Sequence, residues 1–129
     1  MGVVYNTSNL DVDVGGQTQT VPSNQVQVAV IDLFVQKTVS NPWTIEGGTV
    51  EFCNAIINAT ALSDGGMTVQ NAVFRDVLEP RVEYVVDTFT VDGVQQTPTI
   101  IGQTISYTIP TLDPEQTINI CFTVRMLPD

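Results

Sequence analysis

The chain has 129 residues, of which 43% are hydrophobic and only 14% are charged, and its net charge is −10. This length suits one domain with a single hydrophobic core, and the acidic balance argues against partners such as nucleic acid or an anionic membrane surface. The chain has no histidine, which excludes the common forms of serine-protease triad and histidine-based metal site. We therefore expect no enzyme and no cofactor.

The first 25 residues differ in composition from the rest and are predicted to form an extension outside the core. They are rich in Asn, Thr, Gly and Gln, with two short extended pieces, Val3-Val4-Tyr5 and LDVDV at residues 10–14. The extension is either a disordered tail, which is the commoner case at a terminus, or a strand that pairs only with another copy. Asp11 and Asp13 provide too few oxygen ligands for calcium, so we expect no metal.

The start of the chain, MGVVYNTSNL, lacks the basic beginning and the apolar middle of a signal peptide. We expect either that a signal has been removed or that the protein leaves the cell without one. No apolar run approaches the roughly 20 residues that a membrane-spanning helix needs.

From residue 26 to residue 129, short β-branched runs alternate with clusters of Gly, Pro, Asn and Asp. This pattern predicts an all-β sandwich. The alternation changes phase at Ile31-Asp32, which predicts that a strand ends or changes sheet there. Asp92-Gly93 predicts a tight turn, and Asp113-Pro114 predicts the opening of a final hairpin. The expected strands, about seven in number, lie near residues 26–31, 33–39, 49–58, 68–77, 82–91, 104–109 and 116–126.

The alternation places the only lysine, Lys37, on the core-facing row of its strand, and it places Asn54 and Asp76 on core-facing rows of two other strands. A buried ammonium group needs a partner. One arrangement is an ion pair between Lys37 and Asp76, with Asn54 completing the hydrogen bonds. The other is an isopeptide bond between Lys37 and Asn54, with Asp76 relaying protons, because a desolvated lysine becomes a nucleophile.

The two cysteines, Cys53 and Cys121, fall on the outward rows of their strands. Outward side chains cannot meet through the core, and the two strands could lie on opposite sheets. Because a disulfide requires Cα atoms within about 7 Å, we predict no disulfide between them in one chain. Two free thiols or a disulfide between subunits remain as the alternatives.

Five segments follow one another in a specific order and spacing: DLFVQKTVSNP, IEGGTVEFCNAIIN, NAVFRDVLEP, VEYVVDTFTVDGV and TISYTIPTLDPEQTINICFTV. Together they resemble the conserved-repeat domain of bacterial and archaeal cell-surface proteins, long catalogued as a domain of unknown function (number eleven). The resemblance implies an immunoglobulin-like β-sandwich that is a structural or adhesive module outside the cell. The chain departs from the family at Asn54, where an aliphatic residue is usual, at Glu79-Pro80 after Leu78, and in its two cysteines.

Domains of this family usually occur in tandem arrays, whereas a single copy with an extension looks like a free subunit that polymerises. The family is also implied in surface appendages of some clostridial spores. We therefore expect an extracellular, pilus-like filament subunit on a cell or spore surface, whose partner is itself and whose extension pairs with a neighbouring copy. The alternative is a monomeric adhesive or spacer module of a larger cell-surface protein. The expected interface residues are Val3, Val4, Tyr5, Leu10, Val12, Val14, Val26, Val28 and Val30.

Overall fold

A computed structural model of the chain describes residues 3–128, so Met1 and Gly2 at the start of the predicted extension lie outside the described residues. Across this range the only helical element is the 3-10 turn Leu62–Asp64. The described residues contain no helix that is long and apolar enough to span a membrane. The strands are β1 Val3–Asn6, β2 Asn9–Val14, β3 Gln17–Pro22, β4 Val26–Ala29, β5 Leu33–Val39, β6 Thr49–Asn58, β7 Val69–Val77, β8 Val82–Tyr84, β9 Thr90–Val91, β10 Val94–Gln95, β11 Thr99–Ile101, β12 Thr104–Leu112 and β13 Thr117–Met126.

Residues 33–126 form two antiparallel sheets, which confirms the predicted all-β sandwich. The larger sheet has the order β10-β9-β13-β6-β5, with β8 also paired to β13, and the smaller sheet has the order β11-β12-β7. Alternate residues of β13 are buried, namely Ile118, Ile120, Phe122 and Val124, as a half-buried strand requires. Both sheets contribute to one buried cluster: Val50, Ile56, Phe74, Leu78, Phe89, Ile105, Ile109, Leu112, Ile118, Ile120, Phe122 and Val124.

Residues 3–29 form a two-stranded antiparallel ribbon, which we call the arm. Its base is the pair β1–β4 and its tip is the hairpin β2–β3, which turns at Gly15-Gly16. The strands of this segment pair within their own chain, whereas the sequence predicted either a disordered tail or a strand that pairs only with another copy. The predicted boundary after residue 25 also falls inside the arm, because β4 pairs with β1 and not with a strand of the sandwich.

The connections between strands match the sequence in two places. β4 ends at Ala29 and β5 begins at Leu33, so the predicted break at Ile31-Asp32 is confirmed. Asp92 and Gly93 have φ angles of 50° and 81°, the left-handed values that a tight type I′ hairpin turn between β9 and β10 needs.

Two other predictions, one of a connection and one of a strand, are wrong. Asp113-Pro114 does not open a hairpin, because β12 pairs with β7 in the smaller sheet while β13 pairs with β6 in the larger one. The expected strand 82–91 is divided into β8 and β9, and the segment between them places Phe89 in the core.

We predict that Phe89→Ala lowers the free energy of unfolding by about 3–5 kcal/mol, because it leaves a cavity in the core. Phe89 is 0% exposed, and its ring centroid lies 5.5 Å from that of Tyr107 and 6.1 Å from that of Phe122. Urea unfolding followed by circular dichroism measures the change. The matched control Val86→Ala removes an exposed side chain from the same loop and should change the value by less than about 0.5 kcal/mol; equal effects would contradict the core assignment.

Candidate functional site: the arm and an open groove

The hairpin of the arm is amphipathic. Leu10 pairs with Val21 across the hairpin, and Val12 and Val14 lie on the same face, two and four residues further along β2. The opposite face carries Asp11 and Asp13, and the carboxylate of Asp11 accepts a hydrogen bond of 2.8 Å from the Thr20 hydroxyl. An isolated two-stranded ribbon is marginally stable in water, so its apolar face is a surface that gains stability from being covered.

The arm contacts the sandwich near its base. The connection that follows it, residues 30–32, is held by the backbone N–H of Asp32, which donates to the Thr60 hydroxyl at 2.7 Å, and by the N–H of Ala59, which donates to the Asp32 carbonyl at 2.8 Å. Gly65 packs so closely on the side chains of Val3 and Ala29 that an added Cβ would lie 3.1 to 3.2 Å from them. Along the arm, in both its base and its tip, large apolar side chains are more than half exposed: Val4, Tyr5, Leu10, Val14, Val21, Val26 and Val28.

The sandwich itself is open along one side, where β5 ends the larger sheet and β7 ends the smaller one. Leu33 and Val35 pair with Asn58 and Ile56 of β6, which are buried, so they belong to the inward row. They are nevertheless 53% and 64% exposed. The space between the two edges, which we call the groove, has a volume of about 450 Å³ and is a place where the core lacks a covering strand.

Lys37, Asn54 and Asp76 meet in the groove, as their positions in the sequence predicted. The Lys37 ammonium group donates to the carboxylate of Asp76, and Lys37 is the direct cross-strand partner of Asn54. The ammonium also lies over the ring of Phe52, 4.8 Å from its centroid. Asn54 is 3% exposed, and its side-chain nitrogen Nδ2 has no hydrogen-bond partner.

The cysteines correct our prediction. Cys53 and Cys121 form a disulfide within one chain, with their Cα atoms 4.1 Å apart. Both side chains do point away from the core, but β6 and β13 are neighbours in one sheet and the two cysteines are direct partners in its register. Adjacent antiparallel strands bring such pairs within bonding distance, so the alternatives of free thiols and of a bond between subunits are both wrong.

A cluster of potential ligand atoms lies beside this disulfide. Glu51, Cys53 and Cys121 place one ligand atom each within 4.8 Å of one another. A disulfide sulfur is not a thiolate, which is the form that binds metals, and the cluster therefore indicates no metal site.

Six of the nine predicted interface residues are exposed on the arm, namely Val4, Tyr5, Leu10, Val14, Val26 and Val28, whereas Val3, Val12 and Val30 are partly buried.

The groove was not predicted from the sequence. Its apolar residues alternate like those of any core strand, and only the presence of a lysine in that row distinguished β5 from a fully covered strand.

Comparison with known proteins found no match: no protein-family model, no curated protein and no solved structure matches the chain. The resemblance to the cell-surface repeat domain therefore stays a prediction from the residues quoted above.

We predict that replacing both cysteines, Cys53→Ala with Cys121→Ala, lowers the free energy of unfolding by about 2–4 kcal/mol, because the bond restricts the unfolded chain. It joins residues 68 positions apart, so the loop that it closes is long. Urea unfolding of the native and doubly substituted chains gives the difference. On a non-reducing gel the native chain should run as a monomer, and no thiol should react with an alkylating reagent before reduction. Disulfide-linked dimers would contradict the intrachain bond.

Proposed function

We propose that the protein is a structural subunit that assembles into an extracellular filament, with the arm of one copy bound in the groove of the next. The observation that carries this proposal is that one chain has two uncovered apolar surfaces of matching kind. The arm has an exposed apolar face and free strand edges, and the groove has an exposed inward row and two free strand edges. Pairing of a strand with an open sheet edge is a common way in which such surfaces are covered.

The arm fits best as an extension of the smaller sheet. In the proposed junction, β2 of a second copy pairs with the open edge of β7, so that the order becomes β11-β12-β7-β2-β3. Alternation then directs Leu10, Val12 and Val14 toward the uncovered side chains of Leu33 and Val35. The second strand of the ribbon gives the added layer enough width to cover β5.

The charges support this placement. Only four residues of the chain are basic, and two of them, Lys37 and Arg75, line the groove. When the apolar row of β2 faces inward, Asp11 and Asp13 face outward, on the side where the exposed Arg75 projects from β7. Copies with a net charge of −10 repel one another over most of their surfaces. Because Asp76 pairs with Lys37 inside the groove, Arg75 is the basic group that favours this one contact and fixes its orientation.

A contact between two different surfaces of identical chains is head-to-tail, and it builds a filament when successive copies do not close into a ring. The intrachain disulfide is compatible with an oxidising environment outside the cell. The resemblance to cell-surface repeat domains favours the same location, on a cell or spore surface.

We predict that Leu10→Asp in the arm and Val35→Asp in the groove each weaken filament formation, because each places an unpaired charge in the junction. The concentration needed for assembly should rise at least roughly tenfold, about 1.4 kcal/mol per junction. Negative-stain microscopy and light scattering measure the concentration at which filaments appear. A chain without residues 1–29 lacks the arm completely and serves as the reference for lost assembly. Val94→Asp is the matched control, since Val94 is exposed on β10 at the opposite edge of the larger sheet, and it should assemble normally.

Mixing the two defective chains tests the pairing directly. The Val35→Asp chain keeps its arm and the Leu10→Asp chain keeps its groove, so one intact junction can form and the mixture should give a one-to-one dimer in size-exclusion chromatography. A native chain that stays monomeric at every concentration would overturn the proposal and favour the monomeric adhesive or spacer module.

A further inference from the structure

We propose that Lys37 and Asn54 form an intramolecular isopeptide bond, with the Asp76 carboxylate as the proton relay. The bond would make the groove a site of covalent self-modification. It lies within one chain, so it goes beyond the proposed filament and does not depend on it.

The positions of the two reacting side chains favour the bond. Lys37 of β5 and Asn54 of β6 are direct partners in an antiparallel register, and both point inward. Side chains at such positions have Cβ atoms about 4.5–5.5 Å apart. The flexible four-carbon stem of lysine can fold across that gap and bring Nζ to the amide carbon Cγ of Asn54, and no strand has to move.

Asn54 is difficult to explain as a structural residue. It occupies the inward row of β6, where its neighbours in the row are Phe52 and Ile56. Its side-chain nitrogen is buried without a hydrogen-bond partner, and a buried unsatisfied donor costs about 1–3 kcal/mol. An isopeptide bond expels this nitrogen as ammonia and thereby removes the unsatisfied group.

Asp76 is placed to act on the amine. Its carboxylate accepts a hydrogen bond from Lys37 Nζ, and it is the more buried partner, with 13% of its side chain exposed against 42% for lysine. The Phe52 and Phe122 rings, with centroids 4.8 Å and 5.9 Å from Nζ, keep water from the inner side of the amine. A carboxylate at this position can remove the proton from the ammonium group and later deliver it to the leaving nitrogen.

The reaction balances without an oxidant or another reactant. Lys37 Nζ gives a proton to Asp76, and its lone pair attacks Cγ of Asn54. The Cγ–Nδ2 bond then breaks, Asp76 returns the proton to the departing nitrogen, and a second proton from Nζ leaves with it as ammonium. The products are a neutral secondary amide, the regenerated Asp76 carboxylate and ammonium, so the charge of lysine passes to the leaving group.

The intact mass of the folded chain tests the proposal. After reduction and alkylation of the cysteines, the native chain should weigh about 17 Da less than the mass calculated for its alkylated sequence, a difference equal to one ammonia. Lys37→Arg and Asp76→Asn should both have the masses that their sequences give, since the first removes the nucleophile and the second removes the relay. Asn119→Asp, at an exposed asparagine of β13, is the matched control and should keep the deficit.

Tryptic peptides distinguish the bond from other losses of ammonia. An isopeptide bond removes the charge of Lys37, the only lysine of the chain, so trypsin should fail to cleave after it. Tandem mass spectrometry should then find a branched peptide joining residues 37 and 54. A native mass that equals the sequence mass, in both dilute and concentrated samples, would overturn the proposal and leave an ion pair. A deficit accompanied by normal cleavage after Lys37 would also overturn it, because it would indicate cyclisation of an asparagine.

Discussion

The structure depends on one geometric constraint, the unequal width of the two sheets. The larger sheet ends at β5, but the three-stranded sheet that faces it ends at β7, so the inward row of β5 has no covering strand from its own chain. Apolar side chains in that position gain about 25 cal/mol for each Å² that a further strand removes from water. The two free edges also present unpaired backbone groups. The exposed groove, the basic side chains at its margin and the exposed arm are therefore parts of one arrangement.

Tension applied to the arm would reach the body through β5, because residues 30–32 join the arm directly to Leu33. An edge strand held by hydrogen bonds to one neighbour is the first strand that such a force would remove. Two side-chain pairs lie across its path: Lys37 of β5 faces Asn54 of β6, where we propose the isopeptide bond, and the adjacent Cys53 of β6 is bonded to Cys121 of β13. With the proposed bond, consecutive residues of β6 would tie it to both neighbouring strands, which would suit the proposed filament subunit.

The sequence predicted the features that depend on local alternation and could not predict those that depend on strand order. Period-two alternation placed Lys37, Asn54 and Asp76 inward and the cysteines outward, and the structure agrees on each. Whether Cys53 and Cys121 meet depends on β6 and β13 being neighbours, which alternation does not determine. The pairing of β1 with β4 was missed for the same reason, since their alternating residues are compatible with several partners.

In the proposed filament, a subunit with exposed apolar surfaces must also avoid pairing at the wrong edges, and two features of the arm would serve this purpose. Self-pairing of β2 with β3 satisfies half of the backbone groups of each strand, so only one edge of each remains open. Asp11 and Asp13 alternate with the apolar residues of β2 and oppose edge-to-edge pairing of two β2 strands, since like charges would then lie beside each other. The groove differs because Arg75 lies along it, whereas Lys37 is paired there with Asp76. In the proposed junction the acidic strand would therefore meet a basic side chain, and this attraction would select the groove over the surfaces that repel the arm.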